Sequence, residues 1–203
     1  MADGTYDTIA AVYDHLVPDA LLSPRGSADA FAPYVAPGAR VLDCACGTGT
    51  LAVGLALRGH EVVATDASAA MVARTQRLAA ANGARVDASV CRWEALPERG
   101  WREAFDVVLC VGNSLPHAVG RRGLPIYAWT IPAAWDAEHC FDVAVAFAAP
   151  DGQVTTFRER FVFWPFTQDE LRQDLRDAGL EPEGEAVAAD KAGRYLMTAR
   201  RPG

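Results

Sequence analysis

Two acidic residues and a glycine-rich turn have the types and spacing that could bind a cofactor. One apolar run ends at Asp43 and turns through Gly47 and Gly49 (VLDCACGTG) into the helix-like segment LAVGLALRG, and a second run, EVVAT, ends at Asp66. Glycines let a backbone approach a ligand without a Cβ in the way, and carboxylates attract cations and accept hydrogen bonds from hydroxyls. The order strand, glycine turn, helix, strand, acid predicts a nucleotide-cofactor site at the edge of a doubly wound sheet.

Asp43 separates the two cofactor classes that use this layout. A dinucleotide places an anionic pyrophosphate on the glycine turn, where Asp43 would repel it. S-adenosylmethionine instead brings a sulfonium and an ammonium group, which Asp43 would attract, while Asp66 would accept hydrogen bonds from the ribose hydroxyls. The alternative without a ligand is that GTG is a tight turn and both aspartates are caps. The pattern favours S-adenosylmethionine, with a nicotinamide-dependent oxidoreductase as the rival.

Alternating short strands and helices must position these residues. The predicted strands are Val41–Cys44, Glu61–Thr65, Arg85–Val90 and Phe105–Val111, and the predicted helices are Leu51–Arg58 and Ala69–Ala81. Ser68 is the expected N-cap of the second helix, which ends near Asn82 and Gly83. Apolar strands separated by helices indicate a parallel sheet that is buried on both faces. Right-handed crossovers then bring the carboxyl ends of the strands to one edge, where cofactor and substrate meet.

The C-terminal third has a different pattern. Phe141–Phe147 and Val154–Trp164 predict an antiparallel hairpin around a Pro-Asp-Gly turn. Thr167 and Glu170 form a capping-box pattern that opens a helix ending at Gly179. A last hairpin follows, roughly residues 181–187 against 194–200. The fold class is therefore α/β, a Rossmann-like, mostly parallel sheet with two antiparallel hairpins, of which the one at about 141–164 is expected near the active site.

Further residues carry a resemblance to a known family. The run DVVLCVGNSLPH, Asp106 to His117, together with VLDCACGTG and ATDAS, resembles the class I S-adenosylmethionine-dependent methyltransferases. Within that class the chain is most similar to the glycine and sarcosine N-methyltransferase group. The similarity extends to Tyr6–Tyr13, to the Arg92-Trp93 pair and to FRERFVFWPFTQDEL near the C-terminus.

The resemblance implies a set of site residues. His117 is the catalytic candidate beside the acceptor, and Tyr6 is the second, on an N-terminal segment that in similar enzymes folds over the cofactor. The cofactor-binding residues are expected to be Tyr13, Asp43, Ala45, Gly47, Gly49, Asp66, Ala67, Met71, Arg92, Trp93, Val111, Gly112, Asn113 and Ser114. Simpler explanations stay open for several of them: Trp93 as packing under a loop, Asn113 as a turn residue, His117 as a hydrogen-bonded loop residue, and Tyr13 as helix packing.

The expected function is transfer of a methyl group from S-adenosylmethionine to a small-molecule acceptor, an amine nitrogen by resemblance, with S-adenosylhomocysteine as the product. Because the sulfonium is already an activated leaving group, the protein mainly has to align donor and acceptor and exclude water. A protein that binds S-adenosylmethionine without transferase activity, as a regulatory or structural subunit, is the principal alternative.

Composition bounds the remaining properties. A chain of 203 residues that is 51% hydrophobic predicts one domain over 1–203, with an N-terminal lid and helix (1–35), a cofactor-binding half (36–118) and a substrate-side region (125–203). The net charge of −7 with scattered arginines argues against nucleic acid as a partner. No apolar stretch has the roughly 20 residues of a membrane span, and the N-terminus lacks a signal pattern, so we expect a cytoplasmic protein.

The cysteines and one aromatic run complete these expectations. The five cysteines are an odd number and several lie in apolar runs, which favours buried thiols, and the C-x-C of Cys44 and Cys46 has no second ligand cluster to make a metal site. The aromatic run Phe161–Phe166 fits a cover over the active site, a contact between copies of the chain in a homo-oligomer, or a core strand equally well.

The sequence departs from the family after His117. Members of the family continue with a long helix, a PGG turn, a fifth strand and an Arg-Asn pair whose arginine can bind a substrate carboxylate, whereas this chain continues AVGRRGLPIYAWTIP. A helix and a parallel strand need about 30 residues or more. Either residues are missing from this sequence at that point, or the protein lacks the fifth strand. In both cases glycine or sarcosine specificity does not follow.

Overall fold

The computed structural model describes residues 6–7, 10, 13, 23–111, 139–148, 154–163, 167–188 and 195–202. These residues fall into two compact units. The first contains the described residues up to 111 together with 143–148 and 154–159, and the second contains 139–142, 160–163 and the described residues from 167 onward.

Four parallel strands form the central sheet of the first unit. They are β1 (Arg40–Asp43), β2 (Glu61–Asp66), β3 (Val86–Val90) and β4 (Val107–Leu109), in the order β3-β2-β1-β4. Asp43 pairs in register with Ala64 of β2 and with Leu109 of β4. The chain runs outward from β1 to β3 and then returns to the other side of β1, so β1 ends at the topological switch point, where such sheets bind ligands.

Three helices accompany this sheet: α1 (Pro24–Phe31), α2 (Thr50–Leu57) and α3 (Ala69–Asn82). Ser23 caps α1 by accepting a hydrogen bond from the Gly26 N–H, and Pro24 follows at the first helical position, where its missing N–H costs nothing. The α1 and α2 backbones lie very close, since a Cβ on Gly54 would sit 2.0 Å from the Pro24 carbonyl oxygen. Ser68 caps α3, and Gly83 ends it with a left-handed φ of +65°.

Apolar side chains cover both faces of the sheet. One cluster joins Val41, Leu51, Leu55, Val62 and Ala64 with residues of α1. On the opposite face, Leu42, Cys44 and Val63 pack against four aromatic or aliphatic side chains that follow β3: Trp93, Leu96, Trp101 and Phe105. The prediction of strands buried on both faces is confirmed for β1 and β2, but it is wrong for β3, which has no fully buried residue, and for β4, where Val108 is 60% exposed. Among the described residues β3 and β4 are the two edge strands, which explains that difference.

Two strand pairs and a helix make up the rest. The strands β5 (His139–Ala148) and β6 (Val154–Phe163) pair with each other. The helix α4 (Gln168–Asp177) begins with the predicted capping box, in which the Thr167 hydroxyl accepts from the Glu170 N–H and the Glu170 carboxylate accepts from the Thr167 N–H. The strands β7 (Glu181–Ala188) and β8 (Tyr195–Arg200) form the predicted antiparallel C-terminal hairpin.

The fold class predicted from the sequence is confirmed. Helix and strand bounds agree with the predicted ones within two residues at each end; β4 is two residues shorter at both ends, because it covers Val107–Leu109 rather than Phe105–Val111. The hairpins β5–β6 and β7–β8 are sheets separate from the central one. The division of the chain into 1–35, 36–118 and 125–203 remains a prediction. The role of the aromatic run Phe161–Phe166 also remains one, because residues 164–166 lie outside the described ones. No helix of the described residues is both long and apolar enough to cross a bilayer.

Candidate functional site

The glycine turn links the end of β1 to α2. Gly47 has a φ of +54° and Gly49 a φ of +85°, which are left-handed values that favour glycine. The carbonyl oxygen of Gly49 accepts the first hydrogen bond of α2, from the Val53 N–H at 2.9 Å. A Cβ on Gly47 would meet no atom within 4 Å. Among the described residues, the turn therefore leaves the space beside Gly47 open.

Asp43 is a buried acid at the start of this turn, with 1% of its surface exposed. Its Oδ1 accepts a hydrogen bond from the Ala45 N–H at 3.3 Å. The pKa of Asp43 is raised to about 7, mainly by burial; the Ala45 N–H opposes this rise and the negative charge of Asp66 adds to it. The site therefore holds a carboxyl whose charge is poorly compensated by its protein surroundings.

Asp66 ends β2 and binds the glycine turn directly. Its Oδ2 accepts from the Gly47 N–H at 2.9 Å, and its Oδ1 accepts from the Ser68 N–H at 2.9 Å. Burial raises the pKa of Asp66, while the N–H groups of Ser68, Gly47 and Ala67 lower it. A carboxylate has about four lone-pair positions, so hydroxyl donors can bind to it beside these N–H groups.

The predicted residues after β3 lie beside these strand ends. The Cys91 N–H donates to the Asp66 carbonyl oxygen at 2.9 Å. Arg92 is exposed, and Trp93 is half-buried with its indole N–H donating to the Cys44 carbonyl oxygen at 2.7 Å. Trp93 thus packs against the end of β1. Its contact with adenine stays a prediction.

Described residues of the N-terminal segment attach to α3. The Asp7 carboxylate accepts hydrogen bonds from the Ser68 hydroxyl and from the Ala70 N–H, the latter at 3.0 Å, and the hydroxyl bond makes the largest contribution to lowering the pKa of Asp7. Arg74 donates to the carbonyl oxygen of Ala10. The rings of Tyr6 and Tyr13 meet edge to face, with centroids 5.9 Å apart. The segment that was predicted to act as a lid therefore contacts the turn that follows Asp66.

Two residues of this site, Asp7 and Thr75, were not predicted from the sequence. Asp7 had no recognisable signal, because its partners are distant in the chain. Thr75, on α3, donates a hydrogen bond to the Gly47 carbonyl oxygen at 3.0 Å and has no exposed surface. Its signal was a polar residue on the stripe that includes Met71 and Ala79, which α3 buries.

Of the predicted set, the structure brings Asp43, Ala45, Gly47, Gly49 and Asp66 together at the carboxyl ends of β1 and β2. Met71 is 1% exposed, and its N–H donates a hydrogen bond to the Ser68 hydroxyl. Val111 lies two residues after the end of β4. Gly112, Asn113, Ser114 and His117 lie outside the described residues. The expectation of buried thiols is confirmed for Cys44, Cys46 and Cys91, but it is wrong for Cys110, which is exposed because it follows β4, an edge strand among the described residues.

The surroundings of the turn fit a cationic cofactor. Asp43 accepts from the Ala45 N–H at the start of the turn and Asp66 accepts from the Gly47 N–H, so a phosphate at the turn would meet unfavourable charges from both. A sulfonium or ammonium group would instead offset the charge of the buried Asp43. A ribose would find an acceptor in Asp66. This donor and acceptor set fits S-adenosylmethionine better than a dinucleotide.

Comparison with known proteins agrees with this assignment. Residues 41–125 match the methyltransferase domain family. A ubiquinone biosynthesis O-methyltransferase of Sinorhizobium medicae is 43% identical over 72 residues, which are 36% of this chain and 28% of the relative. A glycine/sarcosine N-methyltransferase of Parasynechococcus marenigrum is 40% identical over 86 residues, 42% of this chain and 30% of the relative. The match thus spans about a third of the length of these relatives.

Solved structures share the fold over nearly the whole chain. The CcbJ methyltransferase of Streptomyces caelestis has a TM-score of 0.71 at 23% identity and covers 98% of both chains. CalS10 of Micromonospora echinaspora, an amino pentose methyltransferase solved with S-adenosylmethionine bound, has a TM-score of 0.60 at 18% identity and covers 95% of both.

The fold over nearly the whole chain is therefore the Rossmann-like fold of these methyltransferase structures. The resemblance found in the sequence is confirmed at the level of a domain match and a shared fold: residues 41–125 match the methyltransferase domain family, and solved methyltransferases have the same fold.

Proposed function

We propose that this protein transfers the methyl group of S-adenosylmethionine to a small-molecule acceptor. The observation that carries the proposal is Asp43, a carboxyl that is 1% exposed and lies at the start of an open glycine turn. Burying a charge without a partner is costly, so a fold keeps such a group where a ligand supplies the opposite charge.

The residues of the chain have separate tasks in this proposal. Asp43 attracts the positive end of the cofactor, and Asp66 accepts from the ribose while it holds the Gly47 N–H. The cofactor supplies an electrophilic methyl group on a sulfonium that leaves as a neutral thioether. Asp7 holds the N-terminal segment against Ser68 and Ala70, so that Tyr6 and Tyr13 cover the site and exclude water.

The acceptor atom is the finer part of the proposal. We infer a nitrogen acceptor, which the glycine/sarcosine N-methyltransferase relative and the amino pentose methyltransferase support, whereas the O-methyltransferase relative supports oxygen. His117 is proposed to orient the acceptor or take its proton, because an imidazole titrates near neutral pH. Tyr6 is proposed to lie beside the reacting groups.

Calorimetry combined with a turnover assay tests the proposal. We expect the full chain to bind S-adenosylmethionine and S-adenosylhomocysteine with one site each and not to bind NAD. With labelled cofactor and a panel of amines, phenols and carboxylic acids, we expect a methylated product from an amine. Binding without any methylated product would favour a regulatory or structural cofactor-binding protein. Binding of NAD in place of S-adenosylmethionine would overturn the assignment.

A further inference from the structure

Thr75 is a buried polar side chain that contacts the glycine turn from the helix behind it. It lies on α3 with 0% of its surface exposed. Its Oγ1 is 3.0 Å from the Gly47 carbonyl oxygen and 3.5 Å from the Sγ of Cys46. One side chain of α3 is therefore in contact with two successive residues of the turn.

The chemistry of the three groups fixes the direction of these hydrogen bonds. A carbonyl oxygen only accepts, and a threonine hydroxyl has one proton, so Thr75 donates to Gly47 and has lone pairs left to accept from the Cys46 thiol. Burial raises the pKa of the Cys46 thiol, and the nearby Asp43 carboxyl raises it further. The thiol is therefore protonated at neutral pH and is a donor, with the Thr75 Oγ1 at 3.5 Å and the Gly47 carbonyl oxygen at 4.0 Å as its two acceptors.

This contact orients the peptide between Gly47 and Thr48. Because a trans peptide is planar, its N–H points opposite to its C=O. With the Gly47 carbonyl held toward α3, the Thr48 N–H faces the other way. That orientation is set by a bond that does not involve the ligand, so the turn keeps it before any cofactor arrives.

Thr75 also packs against the second glycine. A Cβ built on Gly49 would lie 2.6 Å from the Thr75 Oγ1 and 2.8 Å from the Thr75 Cα. The second of these atoms is backbone, which cannot move away cheaply. Gly49 and Thr75 are therefore in van der Waals contact at a point where the turn and α3 have no room for another atom.

We propose that Thr75 is a positioning residue for the cofactor: its hydroxyl holds the Gly47 carbonyl toward α3 and so keeps the turn in its binding geometry. The inference rests on the proposed function, because it assumes that the turn binds S-adenosylmethionine. It adds a residue that would not touch the cofactor and would act through the backbone of Gly47.

Three substitutions separate the hydroxyl from the packing. Thr75→Val keeps the β-branched shape and removes the hydroxyl, and Thr75→Ser keeps the hydroxyl and removes a methyl group. Thr65→Val is the matched control, because Thr65 is also 0% exposed but its hydroxyl has no hydrogen-bond partner within the described part of the chain. Thr75→Ala repeats the loss of the hydroxyl if the valine variant does not fold.

Hydrogen exchange of the ligand-free protein tests the contact itself. We expect the peptide that spans residues 45–50 to exchange faster in Thr75→Val, at wild-type rate in Thr65→Val, and near wild-type rate in Thr75→Ser. Unchanged exchange in Thr75→Val would overturn the proposal, and this result does not depend on whether the protein binds S-adenosylmethionine.

Calorimetry with S-adenosylmethionine and S-adenosylhomocysteine tests the consequence. Loss of one buried hydrogen bond predicts that Thr75→Val binds both about fivefold to tenfold more weakly, with an unchanged number of sites, while Thr75→Ser and Thr65→Val stay within about twofold. A purely structural role would lower the melting temperature of Thr75→Val without changing its Kd, and would overturn the proposal. If the wild type binds neither compound, the proposed function fails and the assigned role fails with it, whatever the exchange data show.

Discussion

Asp43 and Asp66 occupy equivalent positions at the carboxyl ends of neighbouring strands, but their surroundings differ. Asp66 is half-buried, and the N–H groups of Gly47, Ser68 and Ala67 bind its carboxylate. Asp43 is 1% exposed, and among the described residues it accepts from the Ala45 N–H alone, at 3.3 Å. The first carboxylate is part of the structure of the turn, whereas the second is buried at a cost that the fold itself does not offset.

The difference suggests a division of work between recognition and scaffold. Removing Asp66 leaves several backbone donors without an acceptor, so both the fold and the site suffer. Removing the charge of Asp43 removes a buried anion, so the stability of the fold should increase while the affinity for the cofactor decreases. We therefore expect substitutions of Asp43 and Asp66, which end neighbouring strands, to change the stability of the protein in opposite directions.

The largest effect is expected for Asp66→Ala. The Gly47 and Ser68 N–H groups lose their acceptor, which should weaken binding of S-adenosylmethionine by more than tenfold, over about 1.4 kcal/mol, and lower the melting temperature. Calorimetry and thermal unfolding measure the two effects. Asp106→Ala is the matched control, since the Asp106 carboxylate accepts from the Arg40 N–H at 2.8 Å at the opposite end of β1. Asp106→Ala should lower the melting temperature and leave the Kd for S-adenosylmethionine unchanged. A similar loss of binding in Asp66→Ala and Asp106→Ala would contradict the role assigned to Asp66.

Asp43→Asn should weaken S-adenosylmethionine by about tenfold, or 1.4 kcal/mol. The loss should be smaller for S-adenosylhomocysteine, whose sulfur is neutral, because the attraction to the sulfonium is then absent. At pH 8 the same substitution should raise the melting temperature of the ligand-free protein, since it removes a buried charge. Equal losses for the two ligands would show that Asp43 does not sense the charge on sulfur.

The pH dependence of binding should follow the ionisation of Asp43. With its pKa raised to about 7, the carboxyl is mostly neutral at pH 6 and mostly charged at pH 8, so wild-type affinity for S-adenosylmethionine should rise about fivefold between them. The ammonium group of the ligand also loses a proton in this pH range. Asp43→Asn is the control, because the titration of the ligand affects its binding to both proteins while the titration of Asp43 affects the wild type alone. A pH dependence that is the same in both proteins would rule out Asp43 as the cause.

The stability of the ligand-free protein should change with pH in the opposite direction. In the folded state the pKa of Asp43 lies above the ordinary value of 3.8, so between these values the folded state binds more protons than the unfolded one. The contribution of Asp43 to the free energy of unfolding is therefore present below pH 4 and is lost as the pH rises through 7. Thermal unfolding of wild type and Asp43→Asn should diverge over this range.

Asp7→Asn should give the smallest change. It weakens the attachment of the N-terminal segment to Ser68 and Ala70 on the Asp66 side of the site. We expect S-adenosylhomocysteine to dissociate about twofold to fivefold faster with little change in association, measured by stopped-flow fluorescence, because one partly buried and one exposed hydrogen bond contribute little each. Slower association with unchanged dissociation would argue against a lid on this side.

Much of the central sheet could be predicted because its signals are local. Short apolar runs, the Ser68 cap and the Gly83 stop placed β1, β2, β3 and α3 to within two residues. The short β4 and the exposed Val108 and Cys110 could not be predicted in this way. Exposure at a sheet edge depends on which strand lies next to it, and that is a contact between segments far apart in the chain.

The candidate site divides in the same way. The sequence by itself determined the two aspartates, the glycine turn and the preference for a sulfonium cofactor, because charge and the absence of a Cβ are properties of residue type. Only the tertiary structure decided that Asp66 holds the turn, that Asp43 is buried with a raised pKa, and that Thr75 and Asp7 reach the site from other segments. Burial and hydrogen-bond partners are set by packing, which brings residues 28 and 61 positions apart into contact.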